Sequence, residues 1–255
     1  MQKDSIEKLY RLIAGSSRIV FFGGAGVSTE SGIPDFRSKD GLYNQEYDFP
    51  PEMILSHTFF LNRPEDFFRF YRNKILSPLK KAAPNPAHRF LAYLEKQGKL
   101  KAVVTQNIDG LHQAAGSQTV YELHGSVLRN ACTRCRKKYP VEKMMEEPIP
   151  VCTCSGIVKP DVVLYEEPLD ADVTEGAVRA IAGADLLLIG GTSLAVYPAA
   201  GLIRYYRGRD LVLLNRDPTP ADDSATLLIR DPIGTVFGEL MAMFKKEARN
   251  GTVLP

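Results

Sequence analysis

FFGGAGVSTESGIPDFRS, residues 21–38, is the stretch around which the rest of the chain is organised. It opens in a buried strand: residues 18–22, RIVFF, are a short apolar run of β-branched and aromatic side chains, stopped by glycine. Gly23, Gly24 and Gly26 follow at once. Glycines after a first strand allow a tight turn and a close backbone approach to a phosphate, whose charge is met by free N–H groups and a helix N-terminus. Residues 27–31 are expected to open that helix, with Ser28 or Thr29 as its cap. Gly32, Ile33, Pro34 and Asp35 then break it, and a loop carries Phe36 and Arg37. An aromatic face beside a permanently charged planar fork suits a ligand with a flat ring and a pyrophosphate.

Taken alone, the glycines also have an ordinary reading as packing residues of a strand–turn–helix. They depart from the fingerprint of the dinucleotide dehydrogenases. That pattern needs a third Gly or Ala where Thr29 stands, and an acidic residue closing a second strand about 20 residues on. Loop and helix follow here instead, so a plain dehydrogenase is excluded.

At 255 residues the chain can bury a substantial core, as one large domain or one with a small insert. Its 44% hydrophobic and 24% charged content is ordinary for a soluble globular protein. The net charge of +2 indicates neither a nucleic-acid partner nor an acidic tail. No apolar run approaches the roughly 20 residues that span a bilayer. Asp4 and Glu7 sit where a signal peptide needs its apolar core. Residues 1–15 read instead as an amphipathic helix capped by Asp4, with Ile6, Leu9, Leu12 and Ile13 on one face. A cytoplasmic protein without membrane or nucleic-acid partners is expected. Its four cysteines then favour metal ligation over disulfides.

Residues 39–83 read as a helical insertion. Within it, residues 64–74 form a helix with Pro64 in the first turn and Phe67, Phe68, Phe70 and Tyr71 as an apolar surface. A helix at 87–97 ends at Gly98, with His88 near its start as a solvated or capping residue. Strands are expected at 100–105, 120–123, 184–189, 211–215 and 225–230, and helices at 170–182 and 232–245. Gly191, Thr192 and Ser193 form a turn that starts a further helix, and residues 159–165 lead back to the main sheet. Short apolar strands alternating with helices predict an α/β fold with a doubly wound, parallel, Rossmann-like sheet. Polar clusters at 24–28, 106–109, 191–193 and 215–217 close most strands, where one extended ligand could use them all. The expected division is a Rossmann-like domain of 1–38, 84–128 and 161–255. The helical insertion 39–83 and a cysteine-bearing, zinc-binding insertion 129–160 form a smaller domain.

These motifs together resemble the sirtuins, NAD-dependent protein lysine deacylases. The matches are GAGVSTESGIPDFRS (24–38), TQNIDGLH (105–112), ELHGS (122–126), a CxxC with a second cysteine pair, KPDVVLYEE (159–167), GTSLAVYPAA (191–200) and LLNRDPTPAD (213–222). They stand in the family's order over nearly the whole chain, as in a bacterial-type member made of the core domain only. The resemblance implies cleavage of the nicotinamide–ribose bond of NAD and transfer of the acetyl group of acetyl-lysine to ADP-ribose. Nicotinamide, O-acetyl-ADP-ribose and free lysine are released, with nicotinamide as product and inhibitor. NAD is a consumed co-substrate, in keeping with the departure at Thr29.

The resemblance also implies roles. His124 matches the general base; a neutral imidazole suits removal of a ribose proton near pH 7. Asn107 and Asp109 match the pair that holds the nicotinamide carboxamide and its ribose, and Gln106 a ribose contact. Phe36 matches the ring that screens the reactive carbon, and Arg37 a group near the phosphates. Gly24, Ala25, Ser28, Thr29, Ile108, Gly191, Thr192, Ser193, Asn215, Arg216 and Ile233 complete the cofactor contacts. Val162, Val163 and Leu164 match the segment to which substrate peptide adds as a strand. His57 and His112 are assigned structural roles. An ADP-ribosyltransferase on the same fold and a non-catalytic NAD sensor are the alternatives.

Two departures qualify the match. Tyr165-Glu166-Glu167 stands where a common form of the family has Phe-Gly-Glu; a Glu for Gly is expected to change the loop backbone and add charge beside the peptide groove. The second cysteine pair is CxC rather than CxxC. Cys132, Cys135, Cys152 and Cys154 still suit tetrahedral Zn(II) as a structural site. Relatives preferring dicarboxylic acyl groups carry a Tyr and an Arg three residues apart after the DFR loop. Here Tyr43 is followed at that spacing by Glu46, and Tyr47 by Pro50, so acetyl and other neutral acyl groups are expected.

Overall fold

The computed structural model describes residues 2–35 and 49–249. Its strands are β1 (Ile19–Gly23), β2 (Leu100–Thr105), β3 (Val120–Glu122), β4 (Gly125–Cys132), β5 (Lys138–Tyr139), β6 (Val158–Val162), β7 (Leu186–Gly190), β8 (Asp210–Leu214) and β9 (Leu227–Ile229). Its α-helices are α1 (Gln2–Ala14), α2 (Pro51–Ile54), α3 (His57–Asn62), α4 (Pro64–Phe70), α5 (Ser77–Leu79), α6 (Pro86–Lys96), α7 (Leu111–Ala114), α8 (Ala171–Ala182) and α9 (Ile233–Arg249). A π-helical stretch, Tyr71–Leu76, joins α4 to α5.

Six strands form one sheet in the order β3-β2-β1-β7-β8-β9. Every pairing in it is parallel. The chain builds outward from β1 to β3, then returns to the other side of β1 with β7, so the order reverses between β1 and β7. That reversal opens a crevice at the carboxyl edge. The strands are apolar because both faces are covered: β1 and β7 are buried at every residue. On one face Phe21, Leu188 and Val212 meet Leu9 and Ile13 of α1, Phe90 of α6 and Phe237 of α9. On the other, Phe22, Val104 and Ile189 meet Ala177 and Ile181 of α8.

The second sheet is antiparallel, in the order β5-β4-β6. Residues 158–162 are themselves a strand of this second sheet, β6 pairing with β4 through Ala131 opposite Lys159 and Gly125 opposite Val162, and the chain then returns to the main sheet through α8 and β7. β4 and β6 run straight across the expected divisions at 128 and 161. Phe60, Phe67, Phe68 and Tyr71 form one cluster with Val127, Met144, Val158 and Val162 and with Cys132 and Cys152. The two inserted segments thus share one core. Each buried phenylalanine contributes about 1.5–3 kcal/mol to it. Edge-on rings, such as Phe60 and Phe67 at 5.1 Å, add to this.

Several local expectations are corrected. α1 begins at Gln2, so Asp4 lies in its first turn, where it faces the positive end of the helix, rather than capping it. Residues 27–31 form no α-helix: two separate 3-10 turns, Ala25–Val27 and Thr29–Ser31, stand there without a side-chain cap from Ser28. After β7, residues 191–198 run irregularly before a 3-10 helix at Ala199–Tyr205. The Asn85 side chain accepts from the amides of Ala87 and His88, and Asn85 N donates to His88 Nδ1. His88 is therefore a fully buried capping residue, not a solvated one.

Gly125 joins the two sheets. Its φ is +73°, and a Cβ there would lie 1.9 Å from the Asp161 carbonyl oxygen. Left-handed backbone alone costs a non-glycine residue about 1–2 kcal/mol, and the clash lies on backbone that cannot swing away. Gly125→Ala should lower the unfolding free energy by at least ~2 kcal/mol, read as a lower urea midpoint at unchanged m-value.

Candidate functional site

All six parallel strands end on one row of the sheet. Glu122, Thr105, Gly23, Gly190, Leu214 and Ile229 are successive partners across it. The next residues step up together. Gln106 N donates to Gly23 O at 2.9 Å, Gly24 N to Gly190 O at 3.2 Å, Leu123 N to Thr105 O at 2.9 Å, Gly191 N to Leu214 O at 3.0 Å and Asn215 N to Ile229 O at 3.1 Å. The residues expected at the site from five separate segments are thereby delivered to one edge.

At its centre the loops after β1 and β7 touch. Gly26 N donates to Gly191 O at 2.8 Å. A Cβ on Gly191, whose φ is +58°, would lie 2.4 Å from Val27 N, and one on Gly24 would lie 2.9 Å from Gly191 O. The glycines thus meet the ordinary reading, packing backbone on backbone where a side chain would not fit. Ala25 is half-buried there and Thr29 Oγ1 donates to Gly26 O. Thr192 is buried, accepting from Gln106 Nε2 at 3.0 Å and from Leu194 N at 3.2 Å, and Ser193 is exposed.

Ser28, Asn107 and Asp109 form a second, deeper group. Ser28 is 1% exposed; its hydroxyl donates to Asp109 Oδ2 at 2.7 Å and accepts from Asn107 Nδ2 at 3.1 Å. Thr105 Oγ1 accepts from Asn107 N, and Asp109 Oδ1 from Leu111 N, so both side chains spring from a braced turn. Burial pushes the Asp109 carboxyl above the usual carboxylate range, against the hydrogen bonds from Leu111 and Ser28. Ile108 lies beside this turn, half-buried against the aromatic cluster of the inserted segments.

His124 follows β3. Its Nδ1 faces the Gln106 carbonyl oxygen at 3.0 Å. A carbonyl only accepts, so Nδ1 carries the proton and the neutral ring keeps its lone pair on Nε2. Burial lowers its pKa below the ordinary 6.5, against the hydrogen bond to Gln106, and keeps the ring neutral. Arg129 brackets this segment by binding Glu122 at 2.6 Å and Asp161 at 2.8 Å.

The remaining expected residues are placed as follows. Asn215 is half-buried and Arg216 exposed; Arg230 holds their turn by donating to the carbonyls of Asn215 and Asp217. The Ile233 side chain is buried, and a Cβ on Gly190 would meet its Cδ1 at 2.5 Å. Val162 closes β6, Val163 N donates to His124 O, and Leu164 N donates to Glu167 Oε2. Glu166 keeps left-handed backbone at φ 75°, and its carboxylate accepts from Thr58 N and Oγ1 at the start of α3. The substitution thus retains the conformation glycine favours and spends its charge on capping a helix. His57 pairs with Glu167 at 2.7 Å. Phe36, Arg37, Tyr43, Glu46 and Tyr47 lie outside the described residues.

The four cysteine sulfurs lie within 4.8 Å of one another. Cys132 and Cys154 approach to 3.5 Å, as do Cys135 and Cys152. Gly156 leaves room for them, since a Cβ there would sit 2.7 Å from Cys132 Sγ. Four convergent thiols in a cradle shaped by glycine fit one tetrahedral, thiophilic cation such as Zn(II). The Cys154 amide and the Tyr139 hydroxyl push the Cys152 thiol down to about 5.

Several supporting residues escaped the sequence reading. Asn85 Nδ2 holds the Val27 carbonyl at 2.7 Å, and His88 Nε2 stands 3.5 Å from Ser28 Oγ. Asn85-Pro86 is a legible helix-start signal, yet nothing local says which loop it grips. Glu30 accepts from Gly234 N at 2.6 Å, tying the loop after β1 to the start of α9 across 204 positions of sequence.

Fold and edge geometry define a nucleotide-binding α/β protein with a cysteine-rich module. The Sir2 family model matches residues 24–198, and the chain belongs to that family. It is 60% identical over 243 residues to an NAD-dependent protein deacetylase of Clostridium perfringens strain 13, covering 93% of this chain and 99% of that one. It superimposes with a TM-score of 0.83 on a Sir2–p53 peptide–NAD+ complex at 39% identity, covering 94% of this chain and 99% of the other. A structure of Sir2Tm bound to a propionylated peptide matches at 0.83 and 38% identity, covering 94% and 98%.

His88 and His112 face each other, ring centroids 4.8 Å apart. Burial, and after it the charge of Arg89 on His88 and of His88 on His112, pushes them down to about 4 and about 3. The unfolded chain protonates them near 6.5, whereas the folded chain resists. Their contribution is complete above pH 6.5 and is lost as pH falls from 6.5 through about 4 for His88 and towards about 3 for His112. The urea midpoint should drop through that window, and His112→Leu should flatten the drop.

Proposed function

We propose that this protein is an NAD-dependent protein lysine deacetylase that uses NAD as co-substrate and carries one structural Zn(II) on its four cysteines. The observation that carries the reading is the His124 geometry: a half-buried neutral imidazole, its Nδ1 proton committed to Gln106, with a basic Nε2 at the carboxyl edge of the sheet. Such a group removes a hydroxyl proton at neutral pH.

NAD would supply the ADP-ribose that takes the acetyl group, with nicotinamide as the leaving group and an inhibitory product. Ser28, Asn107 and Asp109 offer a hydroxyl, an amide and a carboxyl within one buried group, which suits the carboxamide and hydroxyls of such a ligand. Gly24, Ala25, Thr29, Gln106, Ile108, Gly191, Thr192, Ser193, Asn215, Arg216 and Ile233 line or support the same edge; Phe36 and Arg37 are assigned to the same ligand from the sequence motif alone. Val162, Val163 and Leu164 are the segment to which a substrate peptide would add as a strand, with Leu164 N already held by Glu167. A related chain's propionylated-peptide complex supports neutral acyl groups as substrates. Among the described residues no helix is long and apolar enough to cross a membrane.

The test is mass spectrometry of an acetyl-lysine peptide incubated with and without NAD. Loss of acetyl only with NAD, together with O-acetyl-ADP-ribose, is expected. A peptide that gains ADP-ribose would replace the reading with a transferase, and NAD binding without turnover would replace it with a sensor. His124→Ala should reduce kcat by at least about 100-fold without loss of the folded circular dichroism spectrum. In the native enzyme the acid limb of kcat/KM should have its midpoint below pH 6.5, because burial disfavours the protonated ring.

A further inference from the structure

One hydrogen bond in the cysteine module comes from a side chain that is not itself a ligand. The two chelating pairs differ in their spacers, and their first sulfurs are served differently. Cys132 Sγ accepts from the amides two and three residues further on, Arg134 N at 3.3 Å and Cys135 N at 3.4 Å. In Cys152-Thr153-Cys154 the amide two residues on, that of Cys154, also serves the sulfur. The amide three residues on does not: Ser155 N donates to the Cys152 carbonyl at 2.9 Å, in a turn with Ser155 at φ 65°. The one-residue spacer therefore supplies one backbone donor where the two-residue spacer supplies two.

The missing donor comes from β5. The Tyr139 hydroxyl donates to Cys152 Sγ at 3.1 Å. The Thr153 hydroxyl stands farther from the same sulfur, at 3.9 Å, and makes the longer contact. Tyr139 is held by pairing with Asn130 in the small sheet and by packing against the aromatic cluster. Lys137 and Lys143 each place Nζ 5.4 Å from its ring centroid. Their attraction to the ring face helps to hold the ring in place. Four thiolates around a divalent cation leave two negative charges in excess, and hydrogen bonds onto sulfur disperse that charge and orient the ligand.

We propose that Tyr139 is a positioning residue of the metal site, replacing the amide that the shortened cysteine pair lacks and setting how firmly that pair holds zinc. This rests on the four-cysteine zinc reading, and the experiment separates the two. Elemental analysis of the purified full chain should give one zinc per chain; none would overturn the zinc reading itself. With zinc present, transfer to the chromogenic chelator 4-(2-pyridylazo)resorcinol is followed in the native protein, Tyr139→Phe and Thr153→Val. Tyr139→Phe keeps the ring and its packing, and circular dichroism before chelation checks that it is folded. It should lower the apparent zinc affinity about 10-fold or more, with Thr153→Val close to native. Equal affinity in Tyr139→Phe and the native protein would overturn the proposal, as would a larger loss in Thr153→Val.

Discussion

The contact on which the molecule depends is the backbone-to-backbone seat of the loop after β1 on the loop after β7. Gly26 donates to Gly191, and neither Gly24 nor Gly191 has room for a side chain. This seat lies where the order of the sheet reverses, so it fixes the floor of the crevice. Because all six parallel strands stop on one row, each following loop is hung from its neighbour by an amide one step beyond the last ladder bond. Ser28 reaches Asp109 across 81 positions of sequence, and Gln106 reaches Thr192 across 86, only because that row is common to them.

A second constraint ties the inserted segments to that edge. The aromatic helix and the cysteine-bearing hairpins share one core. The module reaches the site through Gly125 and Val162, and Arg129 binds one acidic residue from each sheet. On its other side, residues 165–167 bind the start of α3 through Tyr165, Glu166 and Glu167. These segments are thus continuous with the turn between β3 and β4 that carries His124.

Much of this was legible in the sequence. The strands of the main sheet were, because apolar runs of β-branched and aromatic residues stopped by glycine or polar clusters have few other readings. So were the cysteines, which converge on one point; Asn107, Asp109 and His124 were singled out by side-chain chemistry and motif context, and the fold brings them to one edge. What failed was local detail governed by distant partners. Residues 27–31 carry helix-start residues, yet the seat on Gly191 and the Ser28–Asp109 bond hold them in 3-10 turns. Residues 159–165 read as a connection leading back to the main sheet, and nothing local shows that 158–162 first form a strand paired with β4. Glu166 breaks the rule for a glycine position because Thr58, contributed by another segment, rewards its carboxylate.

The sequence by itself determined the chemistry: which thiols can hold a metal, which imidazole can take a proton, which glycines permit close approach. These are properties of residue types and need no partner. Tertiary structure alone decided which nitrogen of His124 is basic, which hydroxyl serves Cys152, and which face of the Ser28 turn is buried. Each of these follows from a hydrogen bond between groups far apart in sequence, and a donor's partner is chosen by the fold rather than by its neighbours in the chain.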